Sequence, residues 1–321
     1  MSICLTILGC HSATPRTFAH PTSQFLEINH RSFLIDCGEG TQVQLRKFKI
    51  KFSAIDHIFI SHLHGDHFFG LVGLITTFGL LGRKKELHIY APTGLKELIT
   101  LQLQISKSWI DYFIHFHELS SPESELIFED ERVEVRTIPL DHRIYTNGFL
   151  FKEKPGLRKL NMSTIKKYPE IEICDYQKLQ KGNDFLKEDG SVINNKMLKF
   201  DPPKPLSYAF CSDTAYKPDI AELIQHVDLL YHESTFLEDK KDLTQTTKHS
   251  TALEAATIAK KANAAQLILG HYSSRYDSTE GFKQEAQQVF KDPILAKEGK
   301  IIKIENKKPD NLIVDYQYIK M

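Results

Sequence analysis

A short run of histidines with one aspartate is the part of the sequence best suited to chemistry. His62, His64, Asp66 and His67 lie within six residues and directly follow the apolar stretch 57–61. The intervening glycine permits a tight backbone, so several of these side chains can converge on one point. Zinc prefers imidazole and carboxylate ligands, and burying so many polar groups without a metal would be costly. The run therefore predicts a zinc site at the end of a strand.

Three further residues can complete a site for two metal ions. His142, Asp213 and His271 each come directly after an apolar run that is typical of a strand. Strand ends hold side chains rigidly, and a carboxylate such as Asp213 can bridge two ions about 3.5–4 Å apart. Such a pair activates a shared hydroxide and stabilises both the attacking and the leaving oxygen of a phosphodiester. This set of residues therefore favours hydrolysis of phosphodiesters.

The other histidines are interpreted as ordinary surface or packed residues. The chain has 15 histidines, and isolated ones such as His30, His88 and His226 are more often surface or core side chains than ligands. His115 and His117 are spaced like a ligand pair, but they alternate on a predicted strand that has no turn to bring them together. We therefore predict a structural role for both.

The composition is that of a soluble globular protein. Of the 321 residues, 41% are hydrophobic and 26% are charged, which excludes the disordered and fibrous classes. Lys plus Arg and Asp plus Glu both number 41, so any surface for a polyanion must be local. The sequence has no run of about 18 apolar residues and no basic leader, which predicts a cytoplasmic protein without a membrane partner. Five scattered cysteines without a CxxC pair predict buried free thiols.

The elements that must position these residues follow a layered pattern. Apolar runs bounded by turn residues predict strands over 2–8, 24–29, 32–36, 57–61, 87–91, 132–139, 208–211, 229–232 and 266–270. Helical patterns are clearest over 68–81, 93–104, 219–225 and 251–262. Strands interspersed with helices predict a layered α/β fold. Over 151–200 the sequence becomes Lys-rich and loses its periodicity, which predicts an inserted excursion.

Seven motifs carry a family resemblance that covers nearly the whole chain. They are the runs 33–42 (FLIDCGEGTQ), 61–67 (SHLHGDH), 139–142 (PLDH), 212–214 (SDT), 232–235 (HEST), 249–251 (HST) and 271–276 (HYSSRY). In these runs the sequence resembles the metallo-β-lactamase superfamily and, within it, the tRNA 3′-processing endonucleases of the ribonuclease Z family. The resemblance implies an α/β fold, the αββα sandwich of metallo-β-lactamases. It also implies that residues 1–321 form one domain, with an inserted flexible arm over about 151–200.

The resemblance further implies a role for each site residue. Two zinc ions, for which manganese is a possible substitute, would be held by the sets His62, His64, His142, Asp213 and Asp66, His67, Asp213, His271. Asp66 is also implied as the proton acceptor, since a carboxylate beside a metal-bound water can take its proton. Glu233 and His249 are implied as a relay that protonates the departing 3′ oxygen. On residue type alone, Glu233 is equally well a packed and hydrogen-bonded carboxylate.

A basic segment lies where the family inserts its tRNA-binding arm. The candidate substrate contacts there are Lys152, Lys154, Arg158 and Lys159. Together with two lysines shortly after them they form a local surface for a polyanion, although a solvated lysine-rich loop is the alternative. The family's usual Gly/Pro-rich tip is replaced here by the acidic and apolar segment 168–176. Arg275 is a further candidate for a phosphate contact, with a surface ion pair as the alternative.

The resemblance implies an endoribonuclease that removes the 3′ trailer from precursor tRNA. Its products would be a tRNA with a 3′-hydroxyl and a trailer with a 5′-phosphate. The family is usually a homodimer in which the arm of one subunit serves the active site of the other. Another hydrolase on the same fold, such as a different phosphodiesterase, a sulfatase or a small-ester hydrolase, is the alternative. In that case the basic arm would be dispensable.

Overall fold

Two β-sheets lie face to face, and aromatic side chains fill the space between them. The chain is described from a computed structural model that covers residues 2–306 and 312–319. The ring of Phe59, on the first sheet, contacts Phe149 and Phe151 of the second sheet at centroid distances of 5.3 Å. All three side chains are fully buried, and each contributes about 1.5–3 kcal/mol of hydrophobic free energy. The main core therefore lies between the sheets.

The strands in the described part of the chain are short and are numbered in chain order. They are β1 Ser2–Gly9, β2 Ser23–Ile28, β3 Arg31–Ile35, β4 His57–Phe59, β5 Leu87–Pro92, β6 Ile114–Leu119, β7 Leu126–Glu129, β8 Val133–Pro139, β9 Asn147–Glu153, β10 Lys159–Leu160, β11 Phe185–Leu186, β12 Val192–Ile193, β13 Lys199–Phe200, β14 Ser207–Cys211, β15 Leu229–Glu233, β16 Leu267–Gly270, β17 Ile294–Leu295, β18 Lys300–Asn306 and β19 Leu312–Tyr318.

The α-helices are also short. They are α1 Thr41–Lys47, α2 Gly65–Phe68, α3 Leu71–Leu80, α4 Leu95–Ile105, α5 Met162–Ile165, α6 Tyr176–Gln180, α7 Asn195–Leu198, α8 Ile220–Leu223, α9 Lys241–Thr247, α10 Ala252–Lys261 and α11 Glu280–Ala286.

The first sheet has the strand order β19-β18-β1-β2-β3-β4-β5-β6. Strands β3 to β6 are parallel, so their carboxyl ends lie at the same edge. Helices α1, α3 and α4 cover the outer face with buried residues such as Leu45, Leu74 and Leu95. Because residues alternate along a strand, Ile58 joins this outer cluster whereas Phe59 joins the core between the sheets.

The second sheet has the order β17-β16-β15-β14-β9-β8-β7. Strands β14 to β17 are parallel, and β14 pairs antiparallel with β9. Helices α8, α10 and α11 bring buried residues such as Ile220, Ala255 and Phe282 to the core cluster of this sheet. Thr251 caps α10, and its hydroxyl accepts from the backbone amide of Glu254 at 3.2 Å. The order of layers is therefore helix, sheet, sheet, helix.

Every predicted strand and helix overlaps an observed element, although the boundaries differ. Strand β4 ends at Phe59, two residues before its predicted end, because the chain turns there toward the histidine run. Strand β9, Asn147–Glu153, was not predicted, because its carboxyl end merges with the Lys-rich sequence that follows. The chain therefore leaves the second sheet after Glu153.

The insertion folds on a small core of its own. Its buried apolar residues are Ile165, Ile171, Leu179, Ile193 and Leu198. The acidic tip forms a 3-10 turn at Ile173–Asp175, where the backbone amide of Glu172 donates to Asp175 Oδ2 at 3.1 Å. The tip therefore caps a turn and supplies Ile171 to the core of the insertion.

Two minor predictions can be compared with this fold. Cys10, Cys37 and Cys211 are buried and free, and Cys4 is half-buried. The prediction of a buried thiol is wrong for Cys174, which is exposed because it lies in the turn at the tip of the insertion. Among the described residues, no helix combines the length and the apolar character needed to span a bilayer.

Candidate metal centre

Four strand ends bring seven potential metal ligands together. The residues are His62, His64, Asp66 and His67 after β4, His142 after β8, Asp213 after β14 and His271 after β16. Asp66 and His67 lie on α2, whose first residue is Gly65. A side chain at Gly65 would meet the ring of Phe69 at 2.2 Å. A side chain there would displace this exposed ring, and Gly65 begins a helix without a positive φ, which differs from the turn expected from the sequence.

The first cluster contains three histidines and Asp213. His64 Nδ1 lies 3.0 Å from His62 Nε2 and 3.1 Å from His142 Nε2. Asp213 Oδ2 lies 3.5 Å from His62 Nε2 and 3.8 Å from His142 Nε2. These are the separations expected between ligands of one tetrahedral ion whose bonds are about 2.0–2.2 Å long. The four residues therefore fit a single metal position.

The second cluster shares Asp213 with the first. Asp213 Oδ1 lies 3.4 Å from His67 Nε2 and 3.2 Å from His271 Nε2. Asp66 Oδ2 lies 3.3 Å from His67 Nε2 and 3.5 Å from His271 Nε2. Both of these Nε2 atoms are buried, and neither has a hydrogen-bond partner among the described residues. Orphaned buried nitrogens that face two carboxylates fit a metal ion, which would satisfy both.

The second ring nitrogen of four of the histidines is held by the protein. His142 Nδ1 donates to the carbonyl of Lys248 at 2.9 Å. The remaining contacts of this kind are His62 Nδ1 with Ser61 Oγ at 3.0 Å, His67 Nδ1 with Asp36 Oδ2 at 2.7 Å and His271 Nδ1 with Thr235 Oγ1 at 2.9 Å. A hydrogen bond at Nδ1 fixes the tautomer and leaves the lone pair on Nε2. Each imidazole is therefore prepared to act as a ligand.

Asp36, which lies in the motif 33–42, organises this support. Its Oδ1 accepts from the backbone amide of Ser61 at 2.7 Å, and its Oδ2 accepts from Ser61 Oγ at 2.9 Å and from His67. The side chain is fully buried at the end of β3, next to the parallel strand β4. The pairing of these two strands brings Asp36 to a ligand 31 residues further along the chain.

The charges around the two clusters favour a divalent cation. Burial lowers the pKa of His62 well below its usual range and lowers that of His142 to about 4, so both rings are neutral ligands. Burial by itself favours the neutral form of Asp213, but the imidazoles of His271 and His67 hold the pKa of its carboxyl well below the usual range. The neutral imidazoles of His62 and His142 beside an ionised bridging carboxylate are donors that suit zinc. Burial disfavours charge on His67, but the carboxylates of Asp213, Asp66 and Asp36 raise the pKa of that ring well above its usual range, so a bound cation would take the place of its proton.

Glu233 and His249 form a buried ion pair beside the clusters. Glu233, at the end of β15, accepts from His249 Nδ1 at 2.9 Å. It also accepts from the backbone amides of Thr214, Thr235 and Ser250 and from the Thr235 hydroxyl. Burial disfavours charge on His249, yet Glu233 raises the pKa of that imidazole to about 9. The ring centroids of His249 and His271 are 5.3 Å apart. The Glu233–His249 ion pair is therefore next to the second cluster.

The other predicted contact residues are not members of the two clusters. Lys154 Nζ donates to Glu129 Oε1 at 2.6 Å, and Arg158 contacts the carbonyl of Lys181 at 3.2 Å. The exposed side chains of Lys152 and Lys159 lie on β9 and β10. Arg275 is exposed four residues after His271. Arg143, next to His142, is an exposed cation at the site that the sequence analysis had not singled out.

Solved structures of known proteins share this arrangement of sheets. The metallo-β-lactamase fold protein YhfI from Bacillus subtilis is similar over 94% of this chain and 99% of its own, with a TM-score of 0.66 and 18% identity. Human tRNase Z, short form, is similar over 93% of this chain and 98% of its own, with a TM-score of 0.67 and 27% identity. The predicted fold, the αββα sandwich of metallo-β-lactamases, is confirmed.

Sequence comparisons identify the family within this class. Residues 3–163 match the family model described as anti-Pycsar protein Apyc1, a stretch that includes strands β2 to β10 and the candidate ligands up to His142. Ribonuclease Z of Bacteroides fragilis strain YCH46 is 45% identical over 300 residues, which are 94% of this chain and 98% of that protein. The chain belongs to the ribonuclease Z family, as the motifs of the sequence predict.

Proposed function

We propose that the protein is a two-metal endoribonuclease that removes the 3′ trailer from precursor tRNA. The observation that carries the proposal is the pair of clusters joined by Asp213, with the Glu233–His249 ion pair beside them. The bond cut is the one between the phosphorus and the 3′ oxygen of the tRNA. The tRNA keeps a 3′-hydroxyl, and the trailer keeps a 5′-phosphate. The same proposal places the protein in the cytoplasm, with its substrate.

Two zinc ions fit the two clusters, and manganese is a possible substitute. One ion would be held by His62, His64, His142 and Asp213, and the other by Asp66, His67, Asp213 and His271. When bound, such a pair lowers the pKa of a shared water and neutralises the charge that develops on the phosphate oxygens. The carboxylate of Asp213 fixes the spacing of the two positions, because its two oxygens face different clusters.

Asp66 is suited to accept the proton of the attacking water. Its carboxylate faces His67 and His271 within 3.5 Å and is nearly buried. Burial favours its neutral form, but the neighbouring imidazoles hold the pKa of Asp66 well below the usual range, so the carboxylate is ionised. An ionised carboxylate beside the nucleophile orients the water and takes its proton.

His249 is suited to protonate the departing 3′ oxygen. Its Nδ1 is held by Glu233, which leaves Nε2 to donate a proton to the substrate. Because the pKa of His249 is raised to about 9, the ring carries that proton at neutral pH. Transfer of the proton as the P–O bond breaks avoids an alkoxide leaving group. Glu233 then stabilises the charge and orientation of the ring.

The insertion and two arginines are suited to hold the RNA backbone. Residues 154–206 contain eleven Lys and Arg against seven Asp and Glu, a net charge of +4 in a neutral protein. Proteins recognise double-stranded RNA largely through phosphates and shape, so a basic module needs no base contacts. We assign Lys152, Lys154, Arg158 and Lys159 to this contact. Arg143 and Arg275, beside the ligands His142 and His271, would contact phosphates near the cut.

An apolar surface is suited to pair two copies of the chain. Leu80 at the end of α3 and Ile105 at the end of α4 are exposed, as are Trp109 and Phe113 between α4 and β6. A cavity of about 580 Å³ lined by Trp109, Phe113 and residues of α4 lies next to them. A contiguous apolar surface of this kind marks an interaction site. We assign it to a homodimer.

One assay tests the proposed function. Purified protein loaded with zinc is incubated with a labelled precursor tRNA that carries a 3′ trailer, and both new ends are mapped. The proposal expects a single cut that leaves a 3′-hydroxyl and a 5′-phosphate. Hydrolysis of small diesters or sulfate esters without cleavage of the precursor would contradict it and would favour another hydrolase on the same fold.

A further inference from the structure

Three neighbouring strands of the first sheet carry a histidine at or near their amino-terminal ends. His57, His88 and His115 are in register across β4, β5 and β6. Adjacent rings are nearly parallel, with centroids 5.0 and 4.8 Å apart. The catalytic clusters follow the opposite end of β4, because His62 comes five residues after His57, which is up to about 17 Å of extended chain. This row is therefore a separate feature of the fold.

Ligand atoms converge at the exposed end of this row. His115 Nε2 lies 3.2 Å from Glu86 Oε2, directly before β5. One ligand atom from each of Glu86, His88 and His115 lies within 4.8 Å of the other two. Two imidazoles and a carboxylate are a donor set for zinc, copper or nickel, but not for magnesium or calcium, which prefer oxygen ligands.

Aromatic packing explains His57 and His117, but not Glu86 and His115. The ring of His117 stacks on Tyr90 at 4.3 Å, and that of His57 contacts Phe128 at 4.8 Å. Both of these histidines therefore have aromatic partners in the core. Glu86 and His115 lie at the rim instead, with side chains 57% and 44% exposed.

A further imidazole lies beside the converging ligand atoms. His88 Nδ1 lies 3.1 Å from His117 Nε2, so a second nitrogen is available next to these atoms. Imidazole nitrogens are good ligands for borderline divalent ions.

We propose that Glu86, His88 and His115 form an additional metal site for a borderline divalent ion such as Zn²⁺ or Cu²⁺. The site is distinct from the catalytic clusters and does not depend on the proposed function. Glu86 directly precedes β5, His88 lies on β5 and His115 lies on β6. A bound ion would therefore join the edge strand β6 to its neighbour β5. Because the ion would bind the folded chain and not the unfolded one, it would stabilise this edge of the sheet by mass action.

Zinc counting on the full-length protein tests the site. Wild-type protein and the variant His88→Ala with His115→Ala are dialysed to equilibrium at the same free zinc concentrations, and bound zinc is counted. We expect the wild type to bind one more ion per chain than the variant. The control His226→Asn removes an exposed histidine on another element, where asparagine tolerates the positive φ of 57°, and should bind as many ions as the wild type.

A second variant keeps the test decisive if the double histidine variant does not fold. Glu86→Gln changes one exposed side chain, and we expect it to weaken zinc binding at the additional site by about tenfold or more. With Cu²⁺ at the site, the electron paramagnetic resonance spectrum should show coupling to two nitrogens that is lost in His115→Ala. Equal zinc counts in wild type, Glu86→Gln and the histidine variants would overturn the proposal.

Discussion

Asp213 faces both candidate metal positions, with one carboxylate oxygen toward each. We expect Asp213→Asn to lower cleavage of precursor tRNA and of bis(4-nitrophenyl) phosphate alike, by at least about a thousandfold. An amide cannot supply the negative charge that two cations share, and the histidines would keep at most one weakly held ion. Metal analysis should show less than two ions per chain. Retention of both ions and of the diester activity would exclude a bridging role.

The Glu233–His249 pair makes a different prediction, because it acts on the leaving group. We expect His249→Ala to slow RNA cleavage by about a hundredfold or more, in the range of general acid catalysis. The same variant should barely change hydrolysis of a diester with a nitrophenolate leaving group, which needs no proton. Equal losses on both substrates would assign His249 to metal binding or packing instead.

The same pair predicts the pH dependence of the RNA reaction. His249 donates a proton only while it is protonated, so activity should fall as pH rises through its pKa of about 9. Glu233→Gln removes the charge that raises this pKa, and the fall should then begin at lower pH. A pH profile of kcat/KM for both proteins measures the shift. If kcat/KM of Glu233→Gln fell at the same alkaline pH as that of the wild type, Glu233 would not set the pKa of His249.

The candidate ligands could be picked out from the sequence because they lie at, or within a few residues of, the end of an apolar run. Their supports could not, since Asp36 and Thr235 reach His67 and His271 across 31 and 36 residues. Only the pairing of β3 with β4 brings Asp36 to the site. Arg143 was overlooked because a lone arginine in a sequence has no pattern that distinguishes it from a surface charge.

At the scale of elements, the insertion shows a second limit of sequence reasoning. Its apolar residues are few and irregularly spaced, so neither a period of 2 nor one of 3.6 residues is visible. Short helices and two-residue strands nevertheless bring five of them into one cluster. The segment 168–176 differs from the family's usual tip, but the structure accounts for it through the buried side chain of Ile171 and the capped turn after it.

The insertion can be removed without disturbing the sheet, because its two ends are adjacent. Lys152 pairs with Ser207 across β9 and β14. We expect replacement of residues 154–205 by Asn-Gly to lower cleavage of precursor tRNA at least about tenfold and to leave small-diester hydrolysis unchanged. An Asn-Gly turn suits a two-residue hairpin. If the variant cleaved precursor tRNA as fast as the wild type does, the insertion would be dispensable for RNA cleavage.

The root of the insertion lies far from the metal ligands of its own chain. The backbone amide of Asn147, at the start of β9, donates to Ser61 beside the clusters, and Glu153 is six residues further, about 20 Å along the strand. A mixture of the insertion-deleted protein with Asp213→Asn should therefore regain activity on precursor tRNA, if subunits exchange and one arm serves the other site. If the mixed dimers did not regain activity on precursor tRNA, the arm of one subunit would not assist the active site of the other.

At the scale of the whole molecule, the apolar surface beside α4 predicts the oligomeric state. We expect wild-type protein to run as a dimer in light scattering and Trp109→Glu with Phe113→Glu to run as a monomer, because buried charges at the interface are costly. Phe18→Glu is the matched control, since Phe18 is 93% exposed on a different surface. A monomeric wild type, or dissociation by the control alone, would remove this assignment.

The catalytic centre draws its side chains from strand ends that are distant along the chain, from His62 to His271. At a synthesis rate of about 5–20 residues per second, a ribosome needs roughly 10–40 s to make the 208 residues between them. A nascent chain therefore carries the HLHGDH run long before it can bring the candidate ligands together. The proposed two-metal site is complete only after the second sheet has docked, so we expect an unfinished chain not to cut the RNAs that surround it during translation.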